Sequence, residues 1–204
     1  MRALVWIAAL ALLAPWPLGD GSPRGLDPGN AAPAPRPGFG VRLLGPIASL
    51  AASVEWVRYD IALEAGDFPL AYERAERALA LDPLSPHGWD MLASHLIFTR
   101  GGALLEDDPE RRVDWIEAGL EVLRRGTLAC RAPATLHMVR GQVLALYVAE
   151  LAADPSALPW RGGEGAALAE GIAALDQAAA LGHPKAHERK HQAGAAARAR
   201  AEAR

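Results

Sequence analysis

The stretch from Gly66 to Pro83, GDFPLAYERAERALALDP, constrains this chain more tightly than any other. Gly66 tolerates positive φ and Asp67 can cap a following helix, so the segment opens on a turn. Ala71, Ala75 and Ala78 recur at i, i+4 and i+7, which puts three methyl groups on one helical face. Such a face lets a neighbouring helix approach closely. Tyr72, Glu73, Arg74, Glu76 and Arg77 fill the other positions, and Glu73 precedes Arg77 by four, the favourable order for a helical ion pair. Asp82-Pro83 ends the helix, because the residue before proline is pushed out of the α region. The segment therefore reads as the second helix of a tight helical hairpin.

This pattern resembles the second half of a tetratricopeptide repeat (TPR), whose 34-residue period carries a turn, two small residues in the second helix and a closing proline. Gly66, Asp67, Phe68, Ala71, Ala78 and Pro83 stand at the matching places. In the next frame Trp89, Leu92, Ala93 and Leu96 stand where the family has its tryptophan, leucine, small and bulky residues. Two positions depart: Ala75 replaces a larger residue, and Arg58 stands where the first helix usually has leucine. The resemblance implies an all-α fold, a right-handed solenoid of about three TPR-like hairpins. It further implies a concave surface lined by the first helix of each repeat. Carried over position by position, that groove consists of Trp56, Asp60 and Glu64 from the first repeat and Asp90, Ser94 and Phe98 from the second. It is acidic with aromatic edges and lacks the basic and amide residues that clamp a peptide carboxylate. The implied partner is another protein presenting a basic or mixed apolar segment.

The rest of the chain can be laid out around this frame. Leu43, Leu44, Ile47, Leu50, Ala51, Val54, Trp56, Val57, Ile61 and Leu63 have helical spacing up to Gly66, and Pro46 fits a first turn. This helix is longer than one repeat requires, so its front half is expected to cap the stack or pack beneath it. The second hairpin starts near Pro86 and is interrupted after Phe98 by Thr99-Arg100-Gly101-Gly102 and the acidic run Glu106-Asp107-Asp108. Its second helix is expected from Pro109, with Ala118 at the small position. Insertions in repeat proteins gather on one face, often a binding face. The acidic run lacks the ligand spacing of an EF-hand and reads as a solvated turn. A third hairpin is marked by Leu136, Val139, Val143, Leu144 and Tyr147, then Ala167 to Ala179 with Gly171 and Ala178 at the small positions.

Both ends differ from this body. After Met1 and Arg2, residues 3–18 run without a charge, shorter than the about 20 apolar residues that span a bilayer, and residues 1–19 have the layout of a signal peptide or short membrane anchor. Residues 20–40 are a Pro/Gly-rich linker. The helical domain is assigned to residues 41–184. Residues 185–204 hold six Lys/Arg against Glu188 and Glu202, have almost no large apolar residue, and are expected to form a disordered basic tail. Alanine and arginine dominate, and only Lys185 and Lys190 are lysines, the composition of a GC-rich bacterial genome. The expected location is exported, either periplasmic or anchored in the inner membrane and facing the periplasm.

The case for chemistry rests on one motif. His187-Glu188-Arg189-Lys190-His191 spells H-E-x-x-H, in which two histidines on one helical turn hold zinc and the glutamate acts as base. Its flanks are too polar to bury such ligands, so a zinc peptidase is the lesser reading. The basic tail raises a third, an anionic-surface binder, but it has no interleaved aromatics, and no nucleic-acid partner is expected. Cys130 is the sole cysteine and has no evident base beside it. No glycine-rich phosphate loop or serine elbow is present. The sequence points to no catalytic residue, metal or cofactor, and to a non-catalytic interaction scaffold.

Overall fold

The computed structural model describes residues 46–203, which form seven helices and no strand. They are α1 (Pro46–Glu64), α2 (Phe68–Leu81), α3 (Pro86–Ser94, prolonged by a π-helical stretch His95–Arg100), α4 (Pro109–Ala129), α5 (Ala134–Gln142, then π-helical Val143–Val148 and Ala149–Leu151), α6 (Gly163–Ala180) and α7 (Ala186–Glu202). Helix starts follow local chemistry. Asp67 accepts a hydrogen bond from the Leu70 N–H at 3.1 Å, after Gly66 has turned the chain at φ +73°. Asp108 likewise accepts from the Glu110 N–H at 3.0 Å, with Pro109 in the first turn of α4. No helix among the described residues is long and apolar enough to cross a membrane, and the apolar run 3–18 and the linker 20–40 lie outside the described residues.

Packing runs mainly between consecutive helices, α1 on α2, α3 on α4, α5 on α6 and α6 on α7, with α3–α5 and α4–α5 contacts joining the middle. Small residues set how closely they approach. Ala71, Ala75 and Ala78 are wholly buried. In α4 the close contact is made by Gly119 and Gly126, where an added Cβ would meet Ile97 and Trp89 at 2.4 and 2.7 Å. This corrects the expected Ala118, which is only partly buried: the insertion before α4 shifts the small position by one residue. In α6 a Cβ on Gly171 would lie 2.5 Å from the Ala145 nitrogen, so α5 and α6 touch backbone to backbone. Ala71/Ala78, Gly119/Gly126 and Gly171/Ala178 thus repeat one spacing in three helices.

The core is filled by Leu79, Trp89, Ile97, Ile116, Leu123 and Leu144 among others. The Trp89 indole donates to the Pro83 carbonyl at 3.0 Å, and the Cys130 thiol reaches the same oxygen at 3.6 Å. Burial, with Asp82 nearby, pushes that thiol up to about 11, which leaves it protonated and poorly nucleophilic. Arg125 is buried and makes a two-pronged pair with Glu76 at 2.9 Å while lying over the Trp89 ring.

Two expectations change. α1 turns its small residues and one tyrosine inward (Ala48, Ala52, Tyr59 and Ala62), while Ile47, Leu50, Val54, Val57 and Ile61 face solvent. The apolar spacing was legible but not its direction, because two apolar faces share this helix. Glu55 is buried beside α2, held by Arg58 at 2.6 Å and Arg74 at 3.2 Å, so an ionic cluster occupies part of the first helix's inner face. This is why Arg58 is tolerated there. The second change is the C-terminal tail, expected to be disordered and observed as α7. Its dock is built from methyl groups: Ala186 and Ala193 are fully buried with Met138, Ala145, Leu175 and Ala178. Lys190 pairs with Asp176 at 2.7 Å and Arg200 with Glu164 at 2.7 Å. Alanine faces need no large side chain when the backbones come this close.

A candidate interaction surface

The surface is built where α3 and α5 end. Both helices pass through a π-helical stretch near their ends, His95–Arg100 in the first and Val143–Val148 in the second, and the Gly101 N–H closes the first by donating to the Leu96 carbonyl at 2.9 Å. Such turns insert a residue into a helix and redirect the side chains that follow. Phe98 and Tyr147 stand in these two turns and meet edge to face, ring centres 5.0 Å apart. Tyr147 belongs to the third pair of helices, for which no groove residue was assigned from the sequence, since repeat phase was not readable there.

The loops that follow these turns are held together by one side chain. Arg112, buried at the start of α4, donates through Nε to the Gly101 carbonyl at 3.2 Å and through Nη1 to the Ala157 carbonyl at 3.1 Å. It therefore ties the insertion after α3 to the loop after α5. On the tied insertion, Leu104 is 98 % exposed and Leu105 57 %, and Phe98, in the π-helical stretch before it, is 47 % exposed. Among the described residues almost nothing covers Leu104. Glu106, Asp107 and Asp108 follow directly; Glu106 accepts from the Asp108 N–H at 3.4 Å, and Asp108 caps α4. The result is an exposed apolar group with a carboxylate edge. Leu104 and Leu105 carry no legible signal in the sequence, because they stand in an insertion where no helical period marks a buried or an exposed face.

The residues expected to line the groove are distributed as follows. Trp56 is partly buried and packs on the core, its ring 5.4 Å from Tyr59 and within 3.0 Å of where a Cβ on Gly88 would stand. Asp60 and Glu64 are exposed on α1. Asp90 and Ser94 are half-buried on α3 and bonded to each other, the hydroxyl 3.3 Å from the Asp90 carboxylate. Phe98 is exposed. Trp56 thus has a packing role, while Asp60, Glu64 and Phe98 face outward.

Behind this surface lies an aromatic cluster from four helices. His95 sits edge-on to Tyr59 at 6.0 Å and to Tyr72 at 6.2 Å. The Arg100 guanidinium lies over Phe68 at 4.4 Å and Trp115 at 4.7 Å. Burial first, and then Arg100, hold His95 below the ordinary histidine range, while burial pushes Tyr72 up to about 12. Both groups are therefore neutral near pH 7 and serve as packing with polar tips. The H-E-x-x-H residues occupy a different place. His187, Glu188 and His191 are all exposed on α7, and Glu188 accepts from the Gln192 amide at 3.0 Å. No group of three or more His, Cys, Asp or Glu side chains among the described residues could hold a metal ion. Comparison with protein-family models, with curated proteins and with solved structures finds no match.

Proposed function

We propose that this chain is a non-catalytic, TPR-like interaction scaffold. In this reading α1–α2, α3–α4 and α5–α6 are three hairpins of a right-handed solenoid, and α7 closes its C-terminal end. The recurrence of paired small residues in α2, α4 and α6 supports the repeat, as does packing between consecutive helices. The N-terminal segment holds the domain at the bacterial cell envelope, facing the periplasm. The partner is another protein with a basic or mixed apolar segment.

The observation that carries this reading is Leu104, an almost fully exposed leucine on an insertion that Arg112 ties down at Gly101, followed by the exposed Leu105 and an acidic run. Leu104 and Leu105 are adjacent in the chain and expose a contiguous apolar patch, and such patches mark contact sites. The acidic edge selects against acidic partners. A photo-crosslinking amino acid at position 104 of the full chain, expressed in its own cells, should give a discrete protein adduct. The same probe at Glu117, on the exposed side of α4, should not. Equal labelling at both positions, or none at 104, would overturn the reading.

A further inference from the structure

The solvent face of α1 carries Ile47, Leu50, Val54, Val57 and Ile61, each about half exposed or more. Their spacing alternates between three and four residues, which is the a/d seam of a coiled coil. Nothing among the described residues covers it, since the opposite face of α1 is the one that packs on α2. The two ends of the helical array therefore differ. The last helix, α7, shows a polar face outward, whereas the first shows an apolar stripe. An end helix needs a polar outer face to stay soluble alone.

We propose that this stripe pairs with the same stripe of a second copy of the chain, in an antiparallel helix pair about a two-fold axis. A single self-complementary patch is what such an axis requires. With roughly 100 Å² exposed per side chain, the pair would bury about 1,000 Å², the lower bound for a specific interface. Orientation follows from Glu64, which falls on the next seam position. Parallel helices would set the two Glu64 carboxylates against each other. Antiparallel helices set Glu64 against Ile47 of the partner subunit at the ends of the pair, where the carboxylate reaches water. Leu50 then meets Ile61 of the partner subunit, and Val54 meets Val57 of the partner subunit. At the flanks Arg58 lies beside Ala51 of the partner subunit and Asp60 beside Ser53 of the partner subunit, with no like-charge contact. The opposed macrodipoles add to this.

Sedimentation equilibrium of the full chain at micromolar concentration should give twice the monomer mass. Val54→Asp with Val57→Asp should raise the dissociation constant by at least about 100-fold, because it places four carboxylates in the seam. Circular dichroism should show unchanged helicity, since both positions are exposed in the monomer. Orientation is read by disulfides. A mixture of Leu50→Cys and Ile61→Cys chains should oxidise mainly to the mixed pair, and buried Cys130 does not compete. Symmetric disulfides in preference to the mixed one would overturn the antiparallel pair. A monomeric parent chain, as expected if residues 3–18 of the same molecule cover the stripe, would overturn the proposal altogether. Leu104→Asp should leave the dimer intact, which separates this result from the partner-binding reading.

Discussion

At the scale of single residues, the fold depends on atoms that are missing. Ala71 has no accessible surface, and a larger side chain has nowhere to go. Ala71→Leu should cost roughly 1–3 kcal/mol by overpacking, and an unchanged thermal midpoint would argue against the close α1–α2 contact. Titration gives a second test. Because burial and Arg100 hold His95 below its ordinary value, the unfolded chain takes up a proton before the folded chain does. Stability is then complete above about pH 6.5 and falls as the pH drops through that value toward the lowered one. His137, also held low by burial and then by Arg140, acts with the same sign. Tyr59, Tyr72 and Arg100 face His95, and none of them supplies an anion to compensate its charge. His95→Gln should therefore flatten part of the acid loss. Melting curves of the two proteins with the same pH slope would contradict this.

At the scale of elements, the sequence was readable wherever one residue type had one consequence. Gly66-Asp67 and Asp82-Pro83 bounded α2, and Pro109 opened α4, because turn and cap chemistry is local. The small residues of α6 were found for the same reason. Position 118 was one residue off, since a loop of unknown length separated it from the regular frame. The π-helical stretches His95–Arg100 and Val143–Val148 left no mark, because a shifted backbone hydrogen bond demands no particular side chain. For the same reason the meeting of Phe98 with Tyr147 could not be foreseen. The docking of α7 was missed because alanine is a weak apolar signal, yet it packs well once backbones are close. Arg112 is the element-scale test. Arg112→Ala leaves the Gly101 and Ala157 carbonyls without their donor and should cost about 1–3 kcal/mol. Amide exchange should accelerate in both 101–108 and 152–162. Acceleration in only one loop would show that Arg112 does not join them.

At the scale of the whole molecule, the seven helices of the described residues pack mostly on their sequence neighbours, so distant surfaces among them are independent. The outer stripe of α1 and the loop-bearing end of α3 and α5 can then serve different contacts. The location proposed for the molecule has its own test. A reporter active only outside the cytoplasm, fused after Gly40, should give signal, because Arg2 favours retention of the N-terminus inside; a silent but stable fusion would refute export. The exposed leucines of the insertion are proposed to bind a partner and not to hold the fold. Leu104→Asp with Leu105→Asp in the full chain tests this most directly, with partner recovery and thermal midpoint measured on the same preparations. The expected result is loss of the partner with an unchanged midpoint. Retained recovery, or a midpoint that falls together with recovery, would contradict it.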